Sequence, residues 1–170
     1  ANGALNIGAN TYNVNGGTTT ATSITRTSGG VALGGGTLTV DTINSTDISG
    51  SVGAGSTLNV NTLLTLDAAN LNTTGATLNT TGATVDLGAG YTLTTGAAIS
   101  MANLDMGTDA SNQLDAGAGN TITVTNMMHG IGTAIGNVDA SGATIAPGNS
   151  PGTLTITGNL VLNGGSVLEF

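Results

Sequence analysis

Three segments of the chain, Gly35-Gly36-Thr37-Leu38-Thr39-Val40, Gly55-Ser56-Thr57-Leu58-Asn59-Val60 and Gly75-Ala76-Thr77-Leu78-Asn79-Thr80, recur at one fixed spacing. Thr153-Leu154-Thr155-Ile156-Thr157 reprises the pattern near the end. A fixed period of this length, built from short polar/apolar alternations between glycine turns, predicts a coiled stack of strands, because each turn can bury its apolar side only against its neighbours. Successive side chains on a strand point to opposite faces, so Leu, Val and Ile are placed inside and Thr and Asn outside. At about 20 residues per turn and about 4.8 Å per stacked strand, residues 1–170 form one domain of roughly eight turns and about 40 Å.

The rest of the chain reads the same way. Period-two runs occur at Leu5-Asn6-Ile7, Tyr12-Asn13-Val14, Val85-Asp86-Leu87 and Ile122-Thr123-Val124, each closed by Gly, Asn or Ser. No window repeats apolar residues at helical spacing. Glycines 35, 55, 75, 82 and 90 fall where the chain must turn a corner, and Asn10, Asn44, Asn70 and Asn120 lie at or beside corners, where an amide can bond local backbone or ladder with an Asn on the next turn. After Leu93 the spacing loosens through Met101, Met106 and Met127-Met128, which predicts a longer loop or an irregular turn there. An antiparallel sandwich also uses short alternating strands, but its core normally holds aromatic anchors, and aromatics are 2% of this chain with no Trp.

Composition excludes several functions. Arg26 is the only basic residue against nine acids, a formal net charge of −8, so the clustered Lys and Arg that release counterions from nucleic acid are missing and anionic lipid is disfavoured. Zero cysteines remove disulfides and thiolate chemistry. No run of about 18 apolar residues predicts a spanning helix, and Tyr and Phe are too few for the girdles of an outer-membrane barrel. No leader-like segment opens the chain, and the small residue Ala1 suits one already removed.

Residues 145–170 carry Pro147-Gly148-Asn149-Ser150-Pro151-Gly152-Thr153-Leu154, then Gly158-Asn159-Leu160 and Gly164-Gly165-Ser166-Val167-Leu168-Glu169-Phe170. This segment resembles the end of autotransporter passenger domains, where such a sequence closes a right-handed parallel β-helix near the outer-membrane end of a secreted surface protein. The resemblance implies an all-β, right-handed parallel β-solenoid on the bacterial cell surface or secreted from it, with adhesion or assembly as usual roles and no catalytic residue to carry over. In the family the chain continues into an autochaperone region and a translocating barrel, whereas this sequence stops at Phe170.

Candidate chemistry is sparse. His129 is the only histidine and has no cysteine to join it, so neither a zinc site nor a nucleophile is expected, and no metal or cofactor is called for. The acids are scattered, and the enolate chemistry of lyase-type β-helices needs basic residues that one Arg does not supply. Asp109 to Asp115 is the most oxygen-rich loop, without calcium-loop spacing. Thr-x-Thr sets at Thr37/Thr39, Thr92/Thr94, Thr121/Thr123/Thr125 and Thr153/Thr155/Thr157 raise ice binding, although Asn59 and Asn79 interrupt the array. The expectation is a non-enzymatic extracellular subunit that self-associates end to end through its terminal strands, with Leu5, Ile7, Leu168 and Phe170 as the assembly interface. A monomeric passenger that binds a host or cell-surface ligand is the alternative.

Overall fold

A computed structural model of the chain describes residues 3–148 and 152–170. The chain opens with β1 (Leu5–Gly8), β2 (Thr11–Val14), β3 (Thr18–Ala21), β4 (Ile24–Arg26) and β5 (Gly30–Leu33). Its middle consists of β6 (Thr37–Asn44), β7 (Thr57–Leu66), β8 (Leu71–Asn72), β9 (Thr77–Leu87), β10 (Thr92–Thr94), β11 (Ile99–Asp105), β12 (Gln113–Asp115) and β13 (Thr121–Gly130). It closes with β14 (Gly132–Ile135), β15 (Asn137–Asp139), β16 (Thr144–Pro147), β17 (Leu154–Ile156), β18 (Leu160–Val161) and β19 (Val167–Leu168). The one helical element among the described residues is a 3-10 turn, Ser45–Asp47.

All strand pairs among the described residues are parallel, and together they form a β-solenoid of about eight turns. Each turn has three sides. The long strands β6, β7, β9, β11 and β13 bend partway, with register shifts at Val40/Thr42, Asn59/Leu63 and Met101/Asn103, so each contributes to two sides. The third side is the ladder β8-β10-β12-β14-β17, preceded by the β2-β5 pair. A bridge from Val31 to Ile48 and hydrogen bonds from Gly53 N to Leu33 O and from Val52 N to Asn72 O join that pair to the ladder.

The interior is a set of stacked columns. Ile43, Leu64, Val85, Leu104, Met128, Ile145 and Leu168 follow one another in register on the second side. Leu71, Leu93, Leu114, Ala134 and Ile156 do so on the third. Ile99, Ile122, Val138 and Leu160 line the first. Each fully buried Leu or Val stabilises the stack by about 1.5–3 kcal/mol relative to exposure, which lets a core without Trp hold the rod together.

The predicted register holds where it was clearest: Leu38, Leu58 and Leu78 stack directly on one another. Between Leu38 and Leu58 the corner Gly55 adopts φ +77, and Gly75 repeats it at +81. The irregularity predicted after Leu93 does not interrupt the stack. β11 and β13 pair along their length, with Leu104 opposite Met128, and Met101, Met106 and Met128 are fully buried. The additional residues are taken up at corners, while the flexible thioethers pack into the interior.

Candidate functional site

Of the four residues named for assembly, Leu168 is 45% exposed and Phe170 102%, whereas Ile7 is 9% exposed and Leu5 half-buried. Leu160, Val161, Leu162 and Val167 are also exposed; Leu160 and Leu168 stand in line with the core columns, above Val138 and Ile145, whereas Val161 and Val167 lie opposite the outward positions Asp139 and Thr144. At the opposite end the strand edge is open but the apolar side chains are turned inward. Ile7, Val14 and Ala21 are buried, and Tyr12, at the outer edge, shares a 3.3 Å hydrogen bond between its hydroxyl and that of Thr19.

Charge is divided along the axis. Residues 1–40 carry a single charged side chain, Arg26, and every acid lies from Asp41 onward. Arg26 Nε donates to Asp47 Oδ1 at 2.8 Å, bridging one turn to the next. Asp47 also accepts from Asn44 N while Asn44 accepts from Thr46 N, a reciprocal cap on the short 3-10 turn.

Outward polar side chains form ladders between turns. Asn79 donates to Asn59, which donates to Thr39; Asn126 donates to Asn103, which donates to Thr84. Amide laddering thus occurs at asparagines other than the corner residues for which it was considered. Asn70 instead accepts from Thr92 N at 2.8 Å, Asn120 donates to Ala116 O at 2.6 Å, and Asn44 donates to Asp67 at 2.6 Å. On the first side Thr18, Thr37, Thr57 and Thr77 fall in one register column, and Thr20, Thr39, Asn59 and Asn79 in the next.

The Asp109–Asp115 segment divides its acids. Asp109 accepts from the hydroxyl and the N–H of Ser111, bonds that lower its carboxyl below the usual aspartate value, and Asp115 accepts from Gly117 N. Asp139 is lowered by the same pair of bonds from Ser141. No group of three or more metal-ligating side chains occurs among the described residues.

Sequence reasoning missed Asn112, which is fully buried in the loop read as oxygen-rich. Its Oδ1 accepts from Gly90 N at 2.6 Å and Tyr91 N at 3.1 Å, and its Nδ2 donates to Met106 O at 2.6 Å and Leu87 O at 3.2 Å. The side chain spans two turns and satisfies four backbone groups at a corner. Period-two counting from Leu114 and Ala116 places it on the inner face, so the signal was present.

His129 lies on the outer surface of the second side, its Nδ1 3.5 Å from Asp105 Oδ1. Asp86 occupies the same register position one turn before Asp105. Burial, then the neighbouring charges of Asp105 and Asp67, push the Asp86 carboxyl up, against a smaller opposing effect of His129.

Compared with protein-family models, curated proteins and solved structures, the chain matches none. Asn149-Ser150-Pro151, the centre of the autotransporter-like segment, lies outside the described residues. The flanking segments form the last two turns of the stack through β16 to β19. No helix among the described residues is long and apolar enough to cross a membrane.

Proposed function

We propose that this chain is a non-enzymatic structural subunit of an extracellular fibre on the bacterial surface, assembled by end-to-end stacking of solenoids. The observation that carries the reading is the exposed apolar last turn, in which Leu160 and Leu168 continue the core columns out to solvent beside the exposed Val161, Leu162, Val167 and Phe170. The occupant that fits is a second copy. All strands run parallel, so the open edge of β1, β2 and β3 has the direction needed to extend β17, β18 and β19. The division of charge also favours head-to-tail contact, since the end bearing Glu169 meets an end in which no acid precedes Asp41. A head-to-tail contact that does not close on itself generates an open filament.

Analytical ultracentrifugation and electron microscopy of the chain test this reading. The wild type forms filaments, and L168D/F170D remains monomeric with an unchanged far-ultraviolet spectrum, since both side chains are exposed. A wild-type chain that stays monomeric at its highest soluble concentration overturns the proposal while leaving the fold intact.

A second reading rests on the four-threonine column Thr18, Thr37, Thr57 and Thr77, an uncharged array repeating at about 4.8 Å. As an ice-binding face it inhibits recrystallisation, T37K/T57K loses that effect, and an inactive wild type removes the reading.

A further inference from the structure

The second side carries a line of titratable groups that plays no part in stacking. In register along it stand Asn44, Thr65, Asp86, Asp105, His129 and Ala146. Three consecutive turns therefore present Asp, Asp and His outward at the same position, with neutral Thr65 and Ala146 closing the line. Adjacent members sit one strand spacing apart, about 4.8 Å at the backbone. The solenoid forces this proximity, because none of the three can leave the line without breaking the β9-β11-β13 ladder.

The other groups around His129 are limited. On β11 it faces Asp105, at 3.5 Å, whose Oδ1 also accepts from Gly107 N at 2.8 Å. On β16 it faces Ala146, beyond which Glu169, directly after Leu168, follows a turn later. Neighbouring Gly107, Thr108, Gly130 and Gly148 share a hollow with Asp105 and His129 and carry no charge. Asp86 stands one turn beyond Asp105, with Asp67 nearby and held by the Asn44 amide, and Asp109 lies past Asp105 on the following corner with its carboxylate engaged by Ser111. Every charged neighbour is an acid, and the one cation of the chain, Arg26, is committed to Asp47 several turns away.

We propose that the Asp86-Asp105-His129 line is a pH-responsive clasp that tightens the three central turns of the rod on mild acidification. Histidine is the side chain that gains its charge between about pH 8 and pH 5. As imidazolium, His129 converts a line of stacked acids into one with a cation at its end and pairs with Asp105 across the β11-β13 seam. The repulsion between Asp105 and Asp86 is offset by the same charge.

The test is a double-mutant cycle on thermal unfolding of the whole chain at pH about 8 and about 5.5, where the histidine charge changes. His129→Gln keeps the size and polarity of the side chain without the charge. Asp105→Asn keeps an acceptor for Gly107 N. The wild type melts higher at the acid pH, and each single variant loses about 2 °C of that gain, the effect of one half-exposed ion pair in a chain of this length. At the alkaline pH His129→Gln melts with the wild type, and the double variant loses no more of the acid gain than either single one. An acid gain that survives His129→Gln intact, or single losses that add in full in the double variant, overturns the clasp. General relief of the net charge of −8 does not mimic the expected result, because it persists in every variant.

Discussion

Replacing Asn112 is the most demanding test of the stack, because one side chain serves four backbone groups on two turns. In Asn112→Ala, the N–H groups of Gly90 and Tyr91 and the carbonyls of Leu87 and Met106 all lose a partner. Gly90 is exposed and Tyr91 half-buried, so their N–H groups recover part of the loss from water, whereas Leu87 and Met106 are fully buried. With about 1 kcal/mol for each of the first pair and somewhat more for each orphaned carbonyl, the substitution costs about 4 kcal/mol. For a chain of this length that corresponds to a fall in Tm of about 8–16 °C. Asn112→Asp keeps the shape but aims a carboxylate oxygen at two carbonyls, so at neutral pH it costs at least as much, and the deficit shrinks on acidification as the protonated acid regains a donor. Circular-dichroism melts and hydrogen exchange at the Gly90 and Tyr91 amides measure both effects. An Asn112→Ala variant within about 2–4 °C of wild type, or unchanged exchange at those two amides, refutes the corner as a structural support.

Three further outcomes follow from the same geometry. Trypsin has one cleavage residue, Arg26, whose guanidinium is held by Asp47, so the native chain survives trypsin on a gel; rapid native cleavage after Arg26 contradicts the continuous stack. Gly130 has φ +97, and a Cβ there would lie 2.6 Å from Gly107 O and 2.8 Å from Gly107 N, so Gly130→Ala lowers stability by about 3 kcal/mol or more in denaturant unfolding; a smaller change shows that the β11-β13 corner can yield. Because folding raises the Asp86 carboxyl, its contribution is fully present below the ordinary value of 3.8 and lost as pH rises through the shifted value; Asp86→Asn therefore raises Tm at pH 7 and not in strong acid, and equal shifts at both pH values refute the sign.

The parallel stack is readable because its signal is local and repeated. Leu38, Leu58 and Leu78 each follow a glycine of positive φ at the same short distance, and the constant interval between them survives any small error in where a strand begins. The looser spacing after Leu93 corresponds to longer and shorter corners, and there is a physical reason that these leave the stack continuous. Sequence periodicity measures contour length, whereas a solenoid fixes only the lateral register of its columns. The interval from Thr121 to Asn137 is shorter than that from Leu38 to Leu58, and the interval from Leu104 to Met128 is longer, yet all three pairs stack. Corners absorb the difference, and Met101, Met106 and Met128, which depart from the Leu/Val pattern, are buried in the same interior. Asn112 escaped notice because its type suggests a solvated loop while its position in the alternation sets its direction. His129 was read as isolated because a single chain position gives no view across turns; its partners Asp105 and Asp86 stand one and two turns earlier.

The same architecture explains why a functional reading concentrates at an end. In a stack, an interior turn has both backbone edges paired and its apolar columns sealed by the turns on either side. Its outward polar groups are largely occupied with one another, as in the Asn79-Asn59-Thr39 and Asn126-Asn103-Thr84 ladders. A change at Leu104 therefore acts on stability alone, because nothing outside the rod touches it. A change at Leu168 acts on whatever covers the last turn, although it belongs to the same column, reached through Met128 and Ile145. Equivalent side chains in one column thus have different consequences according to how many neighbours they have. Leu104→Ala should lower Tm without altering sedimentation, and L168D/F170D should alter sedimentation with little effect on Tm. If both variants moved both observables together, folding and association would be one process, and the last turn would be part of the core.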